Sequence, residues 1–181
     1  MDEVGRGCLA GPVVSAAVIL NENINLKLLK DSKKINFKNR IKIAKHIKLN
    51  SYYAIGVASV GEILDLNILQ AALLSMKRAI NKLSIKPELV LIDGNFAPKG
   101  IKKFETIING DEKIKCISAA SIIAKTYRDK LMIKLSEKFN YYAWEKNFGY
   151  GTKAHLKGLK KFGITSHHRK GFKPIYKIFS K

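Results

Sequence analysis

Cysteine, acidic residues and long apolar runs are all scarce in this sequence. Its 181 residues include two cysteines, Cys8 and Cys116, which form no CxxC pair. A disulfide framework and a zinc ribbon are therefore excluded, and a reducing cytoplasm is the expected location. The longest apolar run, residues 13–20, is far shorter than the ~20 residues that cross a bilayer, so no transmembrane helix is predicted. The amino end, Met-Asp-Glu, lacks the basic segment of a secretory signal.

Several common catalytic motifs are absent as well. The sequence contains no Walker A loop, no HExxH and no GxSxG. The segment GRGCLA at 5–10 matches the glycine spacing of the dinucleotide-binding fingerprint, which needs a full strand before it and a helix after it. Here only four residues precede it and a β-branched apolar run follows. Dinucleotide binding is therefore rejected.

Acidic residues are outnumbered by basic ones, 14 against 34, which gives a formal charge of +20. A protein this basic usually binds a polyanion, and nucleic acid is the expected partner. Only five of the basic residues are arginine. An AT-rich genome would produce so many lysines through codon usage, so biased composition or the packing of a ribosomal protein stays open as an alternative.

Length and periodicity predict one α/β or α+β domain. A chain of this length buries roughly 70% of its unfolded surface and needs no disulfide or structural metal to fold. Strands are predicted at 10–20, 51–59, 88–93 and 104–110, and helices at 36–48, 60–84, 117–138 and 152–162. Alternation of strands with helices favours a mixed sheet flanked by helices.

Four acidic residues stand in apolar surroundings. Asp2 and Glu3 are adjacent, Asp93 ends the apolar strand ELVLID, and Asp111 follows the strand FETIING. Carboxylates at strand ends suit hard divalent cations, and two such ions can hydrolyse a phosphodiester. Neighbours on a flat strand point to opposite faces, so the acid pair reaches one site only if the backbone is distorted, as the glycines that follow allow. Surface acids or helix caps are the alternative.

Blocks of sequence along nearly the whole chain resemble the type 2 ribonucleases H, the bacterial ribonuclease HII family, in the family's order. They are MDEVGRGCLAGPVVSAAVIL at 1–20, DSKK at 31–34, LDLNILQAALLSMKRAI at 64–80, VLIDGN at 90–95, GD with ISAASIIAKTYRD within 110–129, GYGTKAH at 149–155 and HHRKGF at 167–172. The resemblance implies an α/β, RNase H-like fold: a mixed central β-sheet flanked by helices, with a helical C-terminal extension. It implies one catalytic domain, 1–181, whose basic region from about 140 to 181 holds the substrate.

The resemblance also implies the activity. Members hydrolyse the RNA strand of RNA–DNA hybrids and incise 5′ of ribonucleotides embedded in duplex DNA, leaving 5′-phosphate and 3′-hydroxyl ends. They use Mg²⁺ or Mn²⁺, with two ions in the active site. The expected partner is therefore nucleic acid, with no membrane and no assignable protein partner, and the expected state is a monomer.

The family's four metal-site acids correspond to Asp2, Glu3, Asp93 and Asp111, the same four that stand in apolar surroundings. Asp2 and Asp93 are the best candidates to bridge the metals across the scissile phosphate. Glu3 would complete one metal site and Asp111 the site of the attacking water. Like charges this close repel one another without a metal, so protonation and metal binding are expected to be coupled.

Selection of RNA within DNA requires a group that contacts the 2′-hydroxyl. The resemblance assigns this task to the turn Gly5-Arg6-Gly7, in which Arg6 can also bind a phosphate. It assigns nucleotide stacking to Tyr150 in the GYGT block. An ordinary turn tyrosine is the alternative for that residue.

Five further basic residues are candidate phosphate contacts: Lys33, Lys34, Lys125, His168 and Arg169. For Lys33 and Lys34 the alternative is a solvated loop, and for His168 and Arg169 it is a structural link between tail and core. Asp129 is interpreted as a helix-surface acid paired with Arg128 or Lys125, and not as a metal ligand.

The sequence departs from the family pattern at two places. Only Met1 precedes the acid pair, so the first strand is expected to be short, with the α-amino group beside the metal site. Cys8 stands where proline is more usual and is expected to be a small buried residue. The short strand leaves open a catalytically impaired hybrid-binding protein. The type 3 ribonucleases H are a weaker alternative, because they carry an extra amino-terminal domain and usually Glu as the fourth acid.

Overall fold

The computed structural model describes residues 1–29, 32 and 35–179. The strands are β1 (Asp2–Val4), β2 (Val13–Leu20), β3 (Ser51–Ala58), β4 (Val90–Asp93) and β5 (Phe104–Ile107). The helices are α1 (Phe37–Leu49), α2 (Val60–Leu66), α3 (Ile68–Asn81), α4 (Gly110–Lys113), α5 (Lys115–Lys138), α6 (Trp144–Asn147), α7 (Lys153–Phe162) and α8 (Lys173–Phe179). Short 3₁₀ turns lie at Leu26–Leu28 and Asn140–Tyr142. None of the helices within the described ranges is long and apolar enough to cross a membrane.

The strands form the mixed arrangement that the sequence predicts. β2 runs antiparallel between β1 and β3, and β4 pairs with β5 in parallel. Met1 joins the two sheets, because its amino group donates to Leu91 O at 2.6 Å and its carbonyl accepts from Asp93 N at 3.0 Å. This is the bonding pattern of a parallel pair. β1 pairs with β2 over three residues only, so the expectation of a short first strand is confirmed.

α5 lies against one face of the sheet and positions much of the site. Its first half is rich in small and apolar residues, and the side chains from Ile117 to Ala124 are buried. The apolar residues among 119–124 form one core with Val14 and Ala16 of β2 and with Ile47 of α1. The small side chains let the helix approach β1 and β2 closely, which brings its first turns beside the acid pair.

α3 packs on β2 and β3, and its contact requires a glycine. A Cβ built on Gly56 of β3 would lie 1.9 Å from Ser75 O and 2.6 Å from Ala79 N. The single predicted helix over 60–84 is wrong in one respect, because it divides at Asn67. That residue has φ 68°, and its side chain accepts from the amides of Leu69 and Gln70 to cap α3.

A second core holds the C-terminal helices. Its fully buried members include Met132 from α5, Trp144 from α6 and Leu159 from α7, and Leu9 and Ala10 from the amino end also pack into it. The predicted helical C-terminal region is therefore present. It contacts the loop that follows β1, and this contact determines the geometry of the site.

Candidate active site

The acid pair lies on β1, and the environment of Asp2 is nearly closed. The residue is 4% exposed, and its Oδ1 accepts from Glu3 N at 2.6 Å. Burial raises the pKa of Asp2 to about 8, and the negative charges of Glu3 and Asp93 contribute in the same direction. A hydrogen bond from Ser121 lowers the pKa but does not compensate. A carboxyl placed this way gains a strong electrostatic benefit from any cation that reaches it.

Glu3 links the acids to the glycine turn. Its Oε1 accepts from Arg6 Nη1 at 3.2 Å. Its Oε2 is buried and has no hydrogen-bond partner among the described residues. Burial raises the pKa of Glu3, and the Arg6 guanidinium opposes that shift. A buried carboxylate oxygen without a partner is costly, and a bound cation would remove that cost.

Asp93 ends β4, next to β1. Its Oδ1 accepts from Gly110 N at 2.7 Å. A Cβ on Gly110 would lie 2.6 Å from Ile117 Cδ1 and 3.3 Å from that same Oδ1, so a larger residue would have to displace the Ile117 side chain. Asp111 follows directly, 5% exposed, in the first turn of the short helix α4 rather than at the end of a strand. The Gly110 amide thus ties the third and fourth acids together.

The four acids fit a hard divalent cation by donor chemistry. All of their side-chain donors are oxygens, as Mg²⁺ and Mn²⁺ prefer, and the partnerless Glu3 oxygen supplies the orphaned atom that such an ion would satisfy. Within the described part of the chain, no three His, Cys, Asp or Glu side chains already surround one point as metal ligands do. The carboxylates would therefore have to turn toward an ion.

The turn Gly5-Arg6-Gly7 borders the acids. Gly5 has φ 94°, and a Cβ there would lie 2.2 Å from Arg128 Nε. Among the described residues other than Gly7 and its two chain neighbours, no atom lies within 4 Å of a Cβ position at Gly7, so a ligand has room to approach the backbone. The Arg6 side chain is 49% exposed, and its carbonyl accepts from Arg169 Nη1 at 2.9 Å. The turn is therefore fixed to the protein by Arg169 on its inner side, and its outer side is open to solvent.

Tyr150 lies in the turn before α7 and is 39% exposed. Lys125 Nζ is 5.8 Å from the centroid of its ring and 4.8 Å from that of Phe148. The same ammonium donates to Asp129 Oδ1 at 2.8 Å. Leu9 N donates to Gly149 O at 2.8 Å, so the tyrosine turn and the glycine turn are close in space, as their predicted common role requires.

His168 and Arg169 need a correction, because both are 1% exposed. An antiparallel bridge between Ala10 and His168 turns their side chains inward. The Arg169 guanidinium donates to Gly11 O and Arg6 O, both at 2.9 Å. This placement is that of a structural link between tail and core, and not of a surface phosphate contact. Lys33 and Lys34 lie outside the described residues.

Asp129 also differs from its interpretation as a helix-surface acid. It is fully buried between Arg40 Nη2 at 2.7 Å and Lys125 Nζ at 2.8 Å. The predicted pairing with Lys125 is confirmed. Arg128 instead donates to the carbonyls of Pro12, Ala10 and Phe148, at 2.7–2.9 Å. Arg40 had no local signal as a partner, because it lies 89 residues away in sequence. Cys8 is buried, as expected.

Comparisons with known proteins agree on one family. The family model described as Ribonuclease HII matches residues 1–177. The protein named Ribonuclease HII of Pelagibacter ubique (strain HTCC1062) is 61% identical over 177 residues, 97% of this chain and 95% of that protein. The crystal structure of the ribonuclease H2 from Pyrococcus horikoshii OT3 has a TM-score of 0.80 at 27% identity and covers 99% of this chain and 95% of its own. The structure of Bst-RNase HIII in complex with Mn²⁺, with a TM-score of 0.72 at 18% identity over 99% of this chain and 68% of its own, shows a similar fold.

Proposed function

The chain belongs to the ribonuclease HII family, and from this membership we propose that it incises duplex DNA 5′ of an embedded ribonucleotide with two divalent ions. Membership makes it a metal-dependent endonuclease on the RNA of RNA–DNA hybrids, with an RNase H-like fold. The resemblance drawn from the sequence blocks is thereby confirmed, and the type 3 alternative is set aside. The cytoplasmic location and the monomeric state stay predictions.

One observation carries the proposal. The buried acids and the glycine turn are in direct contact, through Arg6 Nη1 and Glu3 Oε1 at 3.2 Å. A ribose held against the backbone of Gly5-Arg6-Gly7 is therefore held beside the carboxylates. This adjacency is what an enzyme needs to cut next to the sugar that it recognises.

Each acid has a role in the proposal. Bound Mg²⁺ or Mn²⁺ ions would activate a water and stabilise the leaving oxygen. Asp2 and Asp93, on neighbouring strands, are proposed as the shared ligands. Glu3 offers its unpartnered Oε2 to one ion, and Asp111 is proposed for the side of the attacking water. The products would carry 5′-phosphate and 3′-hydroxyl ends.

The substrate is held by groups around the acids. The Gly5–Gly7 backbone is proposed to contact the 2′-hydroxyl, and the exposed Arg6 head a phosphate. Tyr150 would stack on the adjacent nucleotide. Lys125 lies near that ring and is proposed as a phosphate contact through the donors that Asp129 does not occupy. We propose residues 1–181 as one catalytic domain, in which about 140–181 supports the duplex.

The test is cleavage of a DNA duplex that contains one ribonucleotide. With Mg²⁺ or Mn²⁺ we expect one cut 5′ of the ribonucleotide, abolished by EDTA and by Asp93→Asn. Asp65→Asn, an exposed acid on α2, is the matched control and should cut as the wild type does. Binding of the duplex without any cut would overturn the proposed incision and favour the impaired hybrid-binding alternative. Retained cleavage by Asp93→Asn would overturn the assignment of the acids.

A further inference from the structure

Two histidines are buried side by side, and no step of the proposed reaction uses them. His155 lies on α7 and His168 in the loop before α8, at 0% and 1% exposure. Their Nε2 atoms are 3.1 Å apart. Trp144 Nε1 donates to His155 Nε2 at 3.1 Å. Every ring nitrogen of the pair has a partner, so the protons can be assigned by elimination.

The partners determine which nitrogen carries the proton in each ring. His155 Nδ1 lies 2.9 Å from Tyr150 O. A carbonyl only accepts, so Nδ1 is protonated and Nε2 is an acceptor. His168 Nε2 then carries the other proton, and His155 Nε2 is shared as an acceptor between His168 Nε2 and Trp144 Nε1. His168 Nδ1 accepts from Thr165 N at 2.9 Å, which agrees. Burial lowers the pKa of both imidazoles, which favours this neutral pair.

The pair connects the two turns of the proposed substrate site. On one side, His155 holds the carbonyl of Tyr150. On the other side, His168 is bridged to Ala10 in the strand-like pair, and its neighbour Arg169 holds the carbonyl of Arg6 at 2.9 Å. Hydrogen bonds thus connect Tyr150 to His155 and His155 to His168, and the next residue along the chain, Arg169, connects to the carbonyl of Arg6 in the glycine turn.

We propose that His155 and His168 are positioning residues that fix the distance between Tyr150 and the Gly5–Gly7 turn, so that both contact neighbouring nucleotides of one ribonucleotide junction. The proposal rests on the proposed function, since that function supplies the junction. The two residues touch no substrate. They act through the Tyr150 and Arg6 carbonyls.

Two substitutions at His155 separate positioning from stability. The asparagine amide occupies the place of Nδ1, so His155→Asn retains a donor for the Tyr150 carbonyl and loses the bonds to His168 and Trp144. The glutamine amide reaches the place of Nε2, so His155→Gln retains those bonds and loses the donor. His167→Gln is the control, because the neighbouring His167 ring packs on Phe139 and Trp144 and is not a member of the hydrogen-bonded chain between His155 and His168.

The measurement is the ratio of Kd values for an all-DNA duplex and for the same duplex with one ribonucleotide, beside the melting temperature. We expect His155→Gln to lose roughly tenfold in this preference while melting close to the wild type. His155→Asn should retain the preference while melting lower, and His167→Gln should retain it too. A preference that follows melting temperature across the variants, or a wild-type preference in His155→Gln, would overturn the proposal.

A spectroscopic measurement tests the proton positions without any cleavage. In ¹⁵N-histidine NMR of the full chain, His155 should carry its proton on Nδ1 and His168 on Nε2. Reversed proton positions, or a doubly protonated ring at neutral pH, would overturn the assigned hydrogen bonds between His155 and His168. If the wild type neither cuts nor prefers the ribonucleotide, the proposed function fails and the positioning role fails with it. If the wild type does both and His155→Gln is unchanged, only the positioning role fails.

Discussion

Replacement of Asp129 by asparagine should be one of the most destabilising single changes in the α1–α5 contact. The carboxylate is fully buried and accepts from Arg40 at 2.7 Å and from Lys125 at 2.8 Å. The Arg40 side chain is only 7% exposed, so asparagine would leave a buried guanidinium without a counter-charge. Removal of one partner of such a pair costs about 3–5 kcal/mol.

The hydrogen bonds that remain in the variant place the expected loss of stability within that range. Arg40 Nη1 still donates to Ser32 O at 3.1 Å and Ile35 O at 2.8 Å, and the asparagine oxygen can accept one bond. Lys125 is partly solvated and recovers hydration. We therefore expect Asp129→Asn to lower the free energy of unfolding by about 3 kcal/mol. For a chain of this size, that loss lowers the melting temperature by roughly 6–12 °C.

Urea unfolding followed by far-UV circular dichroism measures this loss. The double variant Arg40→Met with Asp129→Leu should recover most of it, because apolar replacement of a whole buried pair is often neutral. A loss below about 1 kcal/mol in Asp129→Asn, or no recovery in the double variant, would refute the reasoning. Asp65→Asn on the surface of α2 should change stability by less than about 0.5 kcal/mol.

Three further predictions follow from other sites. Gly56→Ala should destabilise the protein by about 1–3 kcal/mol in urea unfolding, because a Cβ there would lie 1.9 Å from Ser75 O. Gly61→Ala is the control and should be neutral or stabilising, because the nearest atom to a Cβ there is 3.8 Å away. Equal effects of the two substitutions would contradict this prediction. The pKa of His168 is lowered by burial to about 4 from 6.5, so the unfolded chain binds more protons between these values. Stability should fall as pH drops from 6.5 toward 4, by up to about 1 kcal/mol per unit, and the wild-type pH profile in His168→Gln would argue against it. Burial raises the pKa of Asp2 to about 8, so Mg²⁺ binding at pH 7 should release protons. Calorimetry of Mg²⁺ binding in two buffers of different ionisation enthalpy should then give different apparent heats. Identical heats would exclude the release.

Local sequence was enough to predict most of the helices and strands and to single out the four acids as candidates. The local setting of Asp93 is clear from the apolar strand that it ends, whereas the strand before Asp111 is largely exposed, with Phe104 at 46%, so the burial of Asp111 could not be predicted from that strand. Strands and helices with clear periodicity, such as 37–49 and 51–58, fall close to their predicted bounds. The break at Asn67 was missed because its left-handed backbone has no strong local signature beyond the residue type.

The misassigned residues share a physical cause. Each of these residues has a partner distant in sequence: Arg40 lies 89 residues from Asp129, His155 lies 13 from His168, and Arg6 lies 163 from Arg169. A charged side chain carries no local mark of whether it will be buried. Basic residues at the C-terminal end are therefore interpreted as surface contacts from sequence alone. Only the packing of the tail against residues 9–11 turns them inward.

One consequence of α5 concerns insertions and deletions. Ser121, Lys125 and Arg128 lie on successive turns of one side of this helix, where they bond Asp2, approach Tyr150 and fill the space over Gly5, respectively. A single inserted residue within the helix rotates everything beyond it by about 100°, so those contacts would be displaced together. A loop would absorb the same insertion. Length variation among relatives should therefore fall outside residues 121–128, and the proposed catalytic, stacking and ribose-contacting groups should be inherited as one unit.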